Sequence, residues 1–171
     1  MDSGDDGVDA GVKNPPSDKI LTSKTISEWC QLVSKDPKAP VLRNLLNAFR
    51  DACQFGLHSN GLSMQRLQST EVFYQIITFI LSAADNIFRA ILDISDNDKG
   101  KLMNLRNGQK WKDVEPLIKS YLRNSLDLLS QLTDNQILTY VLTQLRSSAV
   151  YFSAYPSTSR RLLKVLLFVF D

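Results

Sequence analysis

The sequence predicts an all-α protein built of irregular, stacked antiparallel helix pairs. Apolar residues recur at spacings of three and four along most of the chain, which is typical of one buried face on a helix. No segment shows the strict alternation of a half-buried strand. The chain has 171 residues, 43% of them hydrophobic, so it is long enough and apolar enough to bury a sizeable core.

The first 22 residues differ in composition from the rest of the chain. They contain five aspartates, three glycines at the start and a proline pair, but few large apolar side chains. Because such a segment cannot bury enough apolar surface to order itself, we predict a disordered acidic tail over residues 1–22. A helical-repeat domain is predicted over residues 23–171. The tail lacks the basic and then apolar order of a signal peptide, which argues against secretion.

Two helices are predicted on either side of a pair of prolines. Thr25 and Glu28 match a capping box, so we expect the first helix to begin at Thr25. Pro37 and Pro40 interrupt the apolar pattern, and a second helix is expected to start near Pro40. The predicted buried residues of the two helices are Ile26, Trp29, Cys30, Val33, Val41, Leu42, Leu45, Leu46, Phe49, Ala52 and Cys53.

The third predicted helix, over residues 69–94, is apolar on almost every side. Its polar residues follow one line and are Glu71, Gln75, Thr78, Ser82, Asp85, Arg89 and Asp93. A membrane span would place Asp85 and Arg89 deep in the bilayer, at a cost of roughly 2.5–3.5 kcal/mol for each charge. We therefore interpret the segment as a core helix with one narrow stripe in water, where Asp85 and Arg89 form an exposed pair four residues apart.

A loop is predicted over residues 95–109, followed by two helices with a short connection. The fourth helix is expected from about Asp113 to Leu132, with Pro116 in its opening turn. Thr133 or Asp134 is expected to cap the fifth helix, and the short connection implies an antiparallel pair. The predicted inner face of the fifth helix is Ile137, Leu138, Val141, Leu142 and Leu145.

The last predicted helix follows a turn at Tyr155 and Pro156 and is apolar on every side from Leu162 to Phe170. Such a helix needs neighbours on every side, but no later residue of this sequence supplies them. We therefore expect a fragment of a HEAT- or armadillo-like solenoid, truncated at its C-terminus. An exposed apolar run of this kind also predicts self-association of the isolated chain.

The residues that usually carry chemistry are scarce. Cys30 and Cys53, the only cysteines, lie on predicted buried faces, which favours free thiols and a reducing compartment. His58, the only histidine, lies between two glycines with no cysteine or carboxylate at metal-ligand spacing. No phosphate-binding glycine loop or zinc signature occurs. The sequence thus predicts no enzyme activity, no catalytic residue, no metal and no cofactor.

Two local groups of basic residues are the candidate binding features, because the net charge of the whole chain is only +2. Residues 99–123 contain seven basic and two acidic side chains, and a smaller basic group opens the last helix. Clustered positive charge suits an RNA backbone or an acidic protein surface, but it also suits plain solubility. Trp111 is expected to be buried rather than free to stack on a base. The candidate residues are Lys99, Lys101, Arg106, Lys110, Lys112, Arg160, Arg161 and Lys164.

Three stretches of the chain together resemble a known protein family. They are RNLLNAFRDAC from Arg43, QKWKDVEPLIKSYLRNSLDLLSQLTDNQIL from Gln109, and LRSSAVYFSAYPSTSRRLLKVLL from Leu145. They are similar to the first part of the conserved core of the nucleolar complex protein 2 family, and the resemblance extends over residues 25–168. The family has no short binding motif, so the resemblance transfers no individual contact residue.

The resemblance implies a non-enzymatic helical-repeat protein of the nucleus, found in the nucleolus and nucleoplasm. It implies partners among other nucleolar complex proteins and pre-60S particles, with ribosomal RNA as a further partner, and neither a membrane nor a small-molecule substrate. We therefore expect a scaffold or escort factor in large (60S) ribosomal subunit assembly. The alternative is a general helical adaptor that binds proteins without contacting RNA.

Overall fold

A computed structural model describes residues 20–54, 69–95 and 106–170 of the chain. Within these ranges the chain forms helices and no strand, which confirms the predicted all-α class. The helices pack as stacked pairs in a solenoid-like arrangement. They are α1 (Ser23–Lys35), α2 (Val41–Gln54), α3 (Thr70–Leu92), α4 (Gln109–Leu129), α5 (Asn135–Leu145), α6 (Ala149–Ser153) and α7 (Pro156–Phe170).

The centre of the core is a group of aromatic side chains from four helices. The Phe88 ring of α3 lies 5.6 Å from the rings of both Tyr121 and Tyr151, and the Phe49 ring lies 5.9 Å from that of Tyr121. The hydroxyl of Tyr121 lies 3.1 Å from Oγ of the buried Ser148, so its polar atom has a partner. Burial raises the pKa of Tyr121 to about 12.

Helix α3 is the one helix of the described ranges that is long and apolar enough to cross a membrane by length and composition. In the structure it contacts α1, α2, α4 and α5. Its buried residues run from Val72 to Leu92, as the interpretation of this segment as a core helix requires. A central helix of a packed domain has the same composition as a membrane span because both lose their contact with water.

The polar stripe of α3 is less exposed than the sequence suggested. Asp85 and Arg89 form an ion pair with Oδ2 and Nε 2.8 Å apart, but their side chains are only 14% and 11% exposed. The expectation of an exposed pair is therefore wrong. Gln75 is also half-buried, and its amide donates to Ser27 Oγ of α1 at 2.7 Å. These side chains lie where α3 meets its neighbours, which sequence spacing alone does not reveal.

Helix α1 starts before the predicted capping box. Thr22 is the N-cap, and its hydroxyl accepts a hydrogen bond from the amide of Thr25 at 3.2 Å. The prediction of a start at Thr25 is therefore wrong by two residues. The neighbouring Leu21 is buried in the core, which holds the chain in position ahead of the cap.

Helix α4 begins at Gln109, four residues earlier than predicted. Gly108 is its N-cap, and Pro116 lies inside the helix rather than in its first turn. A proline inside a helix removes one backbone hydrogen bond. The additional turn nevertheless forms, because Trp111 and Val114 are both buried there. Burial of Trp111 confirms that this residue is a core side chain.

Helix α5 has Asp134 as its N-cap, which decides between the two predicted caps. Asp134 Oδ1 accepts hydrogen bonds from the amides of Gln136 and Ile137 at 2.8 and 2.9 Å. Of the predicted inner face, Leu138, Val141 and Leu145 are buried. Ile137 is instead exposed, so its placement in the core is wrong. The short helix α6, before the predicted turn at Pro156, was not predicted.

Replacing the α5 cap provides a local test of this assignment. The Asp134→Ala variant should lose about 1 kcal/mol of unfolding free energy, because two amides lose their acceptor. The measurement is equilibrium unfolding in urea. Thr133→Ala is the matched control and should change the unfolding free energy by less than about 0.5 kcal/mol. An equal loss in both variants would contradict the assignment of Asp134 as the cap.

Several predictions concern residues outside the described ranges. These are most of the predicted acidic tail, the turn that contains His58, most of the loop predicted over residues 95–109, and the candidates Lys99 and Lys101.

Both cysteines are described as free thiols, with Cys53 buried and Cys30 half-buried. Burial raises the pKa of Cys30 to about 11 and also raises the pKa of Cys53, so both thiols stay protonated at neutral pH.

Candidate functional site

An open cleft of about 420 Å³ lies between α4 and the start of α7. Two basic residues of α4 and one of α7 line it, together with two hydroxyl side chains from the first turn of α7. Its lining residues are Lys119, Arg123, Leu126, Tyr155, Ser157, Thr158 and Arg161. We refer to it as the basic cleft.

Local sequence explains how the two helices present these side chains. Lys119 and Arg123 are four residues apart on α4 and therefore project from the same face. On the neighbouring face of α4, about 100° round the helix, Ile118 and Leu122 are fully buried, which fixes the orientation of the helix. Pro156 occupies the first position of α7, where its missing amide costs nothing.

An ion pair joins the two helices at the cleft. The guanidinium of Arg161 on α7 donates to Asp127 Oδ1 on α4. Asp127 is the less exposed partner, with 18% of its side chain in contact with solvent against 44% for Arg161. This contact holds the start of α7 against α4 and places a third cation beside Lys119 and Arg123.

The wall of the cleft is the buried side chain of Tyr155. Its ring stacks on Trp111 at 6.3 Å between centroids. The Lys119 ammonium lies 5.3 Å from the centre of the Tyr155 ring, and the Arg106 guanidinium lies 5.9 Å from it. These are cation–π distances. Tyr155 is thus surrounded by protein groups and does not offer a free face to a base.

The acidic residues near the cleft leave one cation unmatched. Glu115 Oε1 lies 2.9 Å from Lys119 Nζ, and the hydrogen bond from Lys119 is the main cause that lowers the pKa of Glu115. Asp127 pairs with Arg161. In the described part of the chain, no carboxylate lies within ion-pair distance of Arg123. The cleft therefore has an excess of positive charge.

The structure brings together only part of the predicted basic set. Arg161 lines the cleft, and Arg106 contacts its Tyr155 wall. Lys110 is exposed and pairs with Asp93 at 3.4 Å. Lys112, Arg160 and Lys164 are exposed on the outer surfaces of α4 and α7.

Two cleft residues, Lys119 and Arg123, were within the predicted basic run but not among its selected candidates. Their spacing of four on a helix was a usable signal, since it places both on one face. Their proximity to Arg161 had no signal in the sequence, because the two helices are separated by more than 25 residues of chain.

A second exposed feature is the outer face of α7. Leu163, Leu167 and Phe168 are 60%, 70% and 84% exposed. Leu163 and Leu167 are four residues apart and share one face of the helix, and Phe168 is next to Leu167 in the chain; we refer to these three exposed residues as the apolar strip of α7. An exposed strip of large apolar residues is typical of a protein interaction surface.

An apolar groove of about 320 Å³ between α3, α4 and α5 adds to the exposed apolar surface. Phe73, Tyr74 and Ile77 of α3 line one side, and Ile137 and Tyr140 of α5 line the other.

No group of three or more histidine, cysteine, aspartate or glutamate side chains suited to a metal ion occurs within residues 20–54, 69–95 and 106–170.

These features define an all-helical protein with a basic cleft and exposed apolar faces, which is the surface chemistry of a macromolecule-binding protein. The comparison of its sequence with curated proteins identifies its relatives. The chain is 37% identical to Protein REBELOTE of Arabidopsis thaliana, over 96% of this chain and 29% of the relative. It is 33% identical to Nucleolar complex-associated protein 2 of the same plant, over 87% of this chain and 20% of the relative.

A more distant relative is an uncharacterized NOC2 family protein of Schizosaccharomyces pombe, 22% identical over 84% of this chain and 20% of the relative. No protein-family model matches the chain. The chain belongs to the nucleolar complex protein 2 family, as its resemblance over residues 25–168 predicted. It spans less than a third of the length of each of these relatives.

Proposed function

We propose that this chain is a non-enzymatic scaffold or escort factor in large (60S) ribosomal subunit biogenesis. In this role it binds partner nucleolar proteins and pre-60S particles in the nucleolus and nucleoplasm. The observation that carries the proposal is the 33% identity to Nucleolar complex-associated protein 2 over 87% of this chain. The proposal also rests on the wider likeness between this chain and the nucleolar complex protein 2 family.

The surfaces of the chain agree with a binding role. The apolar strip of α7 offers contact area to a partner protein, and the basic cleft offers positive charge to an acidic partner. Stacked helix pairs provide extended surfaces of this kind.

Affinity purification of the tagged full chain from nuclear extract tests the proposal. We expect mass spectrometry to find nucleolar complex proteins in the purified sample, and RNA probing to find large-subunit precursor RNA. A tagged, unrelated helical protein of similar size is the control for non-specific recovery. Recovery of chaperones alone, without nucleolar proteins or ribosomal precursors, would contradict the proposal.

The alternative function is a helical adaptor that binds only proteins. The apolar groove and the α7 strip favour this alternative, because both suit protein contacts and neither needs RNA. Reversing the charge of two exposed candidates, Lys110→Glu and Lys112→Glu, separates the two functions. Loss of particle association with the fold intact supports RNA contact, whereas unchanged association favours the adaptor. Lys24→Glu with Lys35→Glu on α1 is the matched control, since both lysines are also exposed.

A further inference from the structure

We propose that the basic cleft between α4 and α7 binds a phosphate of a single-stranded RNA backbone, without reading the bases. This inference deepens the proposed function, on which it rests for the choice of RNA as the partner. It makes one position, Arg123, the main cationic contact of the cleft. The charge of the cleft, its hydrogen-bond donors and the arrangement of cations along α4 support this assignment.

The charge of the cleft is suited to an anion. Lys119, Arg123 and Arg161 line it, and the carboxylates of Glu115 and Asp127 each pair with one of the other two cations rather than with Arg123. A guanidinium presents several donors in a planar fork that matches the oxygens of a phosphate. Arg123 is therefore the residue best able to contact a bound phosphate.

The donors of the cleft add directional contacts. Ser157 and Thr158 of α7 line it and belong to the first turn of the helix. First-turn amides have no acceptor within their own helix, and the helix dipole favours negative charge at this end. Helix α7 has no acidic residue in its first turn that would compete for this position. Two hydroxyl-bearing residues at a helix N-terminus thus supplement the three cations.

The arrangement of charge along α4 favours a polymer over a single phosphorylated side chain. Lys112 is exposed, and Lys112, Lys119 and Arg123 are spaced by seven and four residues, which places them on one stripe of the helix. At 1.5 Å per residue this stripe extends about 16 Å. Arg160 and Lys164 of α7 add exposed positive charge beyond the cleft. A chain of phosphates can contact such a line at several points.

The aromatic wall explains why bases are not read. Tyr155 has Trp111 stacked on it, and two cations lie near its ring. Both aromatic side chains are buried, so neither presents a free face on which a base could stack. Contacts limited to phosphates fix position but carry no sequence information. Binding should therefore be similar for RNAs of different sequence.

The test measures binding of the full chain to a fluorescent single-stranded oligouridine by anisotropy. We expect Arg123→Ala to weaken binding about tenfold, because a hydrogen-bonded contact to a charged group is lost. Arg146→Ala is the matched control: it removes the same charge from an exposed position at the end of α5 that does not line the cleft, and should weaken binding less than about twofold. The unfolding midpoint of each variant checks that the fold is intact.

Further arms of the experiment identify the ligand. An oligonucleotide of mixed sequence should bind with a dissociation constant similar to that of oligouridine. Arg123→Ala should lower the slope of the logarithm of the binding constant against the logarithm of the salt concentration by about one, as expected when one phosphate contact is lost. Equal weakening by Arg123→Ala and Arg146→Ala would overturn the assignment to the cleft. Binding of a phosphoserine peptide or inorganic phosphate but not of RNA would overturn the assignment to RNA.

The inference and the proposed function can fail separately. If the tagged chain recovers nucleolar complex proteins and pre-60S particles but the purified chain does not bind RNA, the inference is wrong and the assembly function stands. If Arg123-dependent RNA binding is measured while no nucleolar protein or precursor is recovered, the inference stands and the assembly function is wrong.

Discussion

Replacing Phe88 with alanine should lower the free energy of unfolding by about 3–5 kcal/mol. Phe88 is buried and its ring contacts those of Tyr121 and Tyr151, on two other helices. The shorter side chain removes apolar burial and leaves a cavity between α3, α4 and α6, which the surrounding helices can fill only in part. Equilibrium unfolding in urea, followed by circular dichroism, measures the loss.

The same substitution at an exposed phenylalanine is the control. Phe168→Ala, at a side chain that is 84% exposed, should change the unfolding free energy by less than about 0.5 kcal/mol. Phe168→Ala should instead reduce any self-association of the chain, which light scattering measures, because it shortens the apolar strip of α7. Similar stability losses for Phe88→Ala and Phe168→Ala would contradict the packing described for α3 and α7.

Removing Asp85 should be the next most destabilising change, with an expected loss of about 3 kcal/mol. The Asp85–Arg89 pair is mostly buried, so Asp85→Ala breaks an ion pair in a position with little access to water. Breaking such a pair costs more than breaking an exposed one, because water screens the charges less. Urea unfolding at neutral pH measures it, and a loss below about 1 kcal/mol would show that the pair behaves as a surface pair.

An exposed ion pair with the same spacing supplies the control. Glu115 and Lys119 are also four residues apart on a helix, but Lys119 is about half exposed. Glu115→Ala should therefore cost less than about 0.5 kcal/mol, since water solvates the remaining charge. The contrast between the two variants separates the effect of burial from that of charge pairing.

Much of the fold could be predicted because local pattern and tertiary structure agree. The start of α2 after Pro40 follows from a rule that concerns only the first turn of a helix, whereas Pro156 was predicted to lie in a turn and is in fact the first residue of α7. The buried face of α2 follows from its spacing of three and four, since one side of the helix faces the core along its whole length. The family was predicted from three stretches of sequence, and the identity to curated relatives confirmed it.

The errors occurred where a tertiary contact outweighed a local preference. Pro116 suggested a later start for α4, but burial of Trp111 and Val114 stabilises an additional turn ahead of it. Ile137 matched the apolar period of α5, yet it is exposed because it lines the groove beside α3. In both places the neighbouring helix determined the outcome, and the local sequence does not describe that neighbour.

For the candidate site, too, local sequence predicted part of the result and tertiary contacts decided the rest. The sequence identified two basic groups and included Arg161 among the candidates. It did not identify the basic cleft, because Arg161 meets Lys119 and Arg123 only when α7 packs on α4. It also did not show that Asp127 and Glu115 pair with two of the three cations and leave Arg123 without a carboxylate in the described part of the chain.

By itself, the sequence determined the all-α class, the apolar faces of the main helices and the family, because each depends on residue type and spacing along the chain. Only the tertiary structure decided which charges are buried, which apolar residues stay exposed and which basic side chains share a cleft. These properties depend on distances between residues far apart in sequence and on the water removed when helices pack.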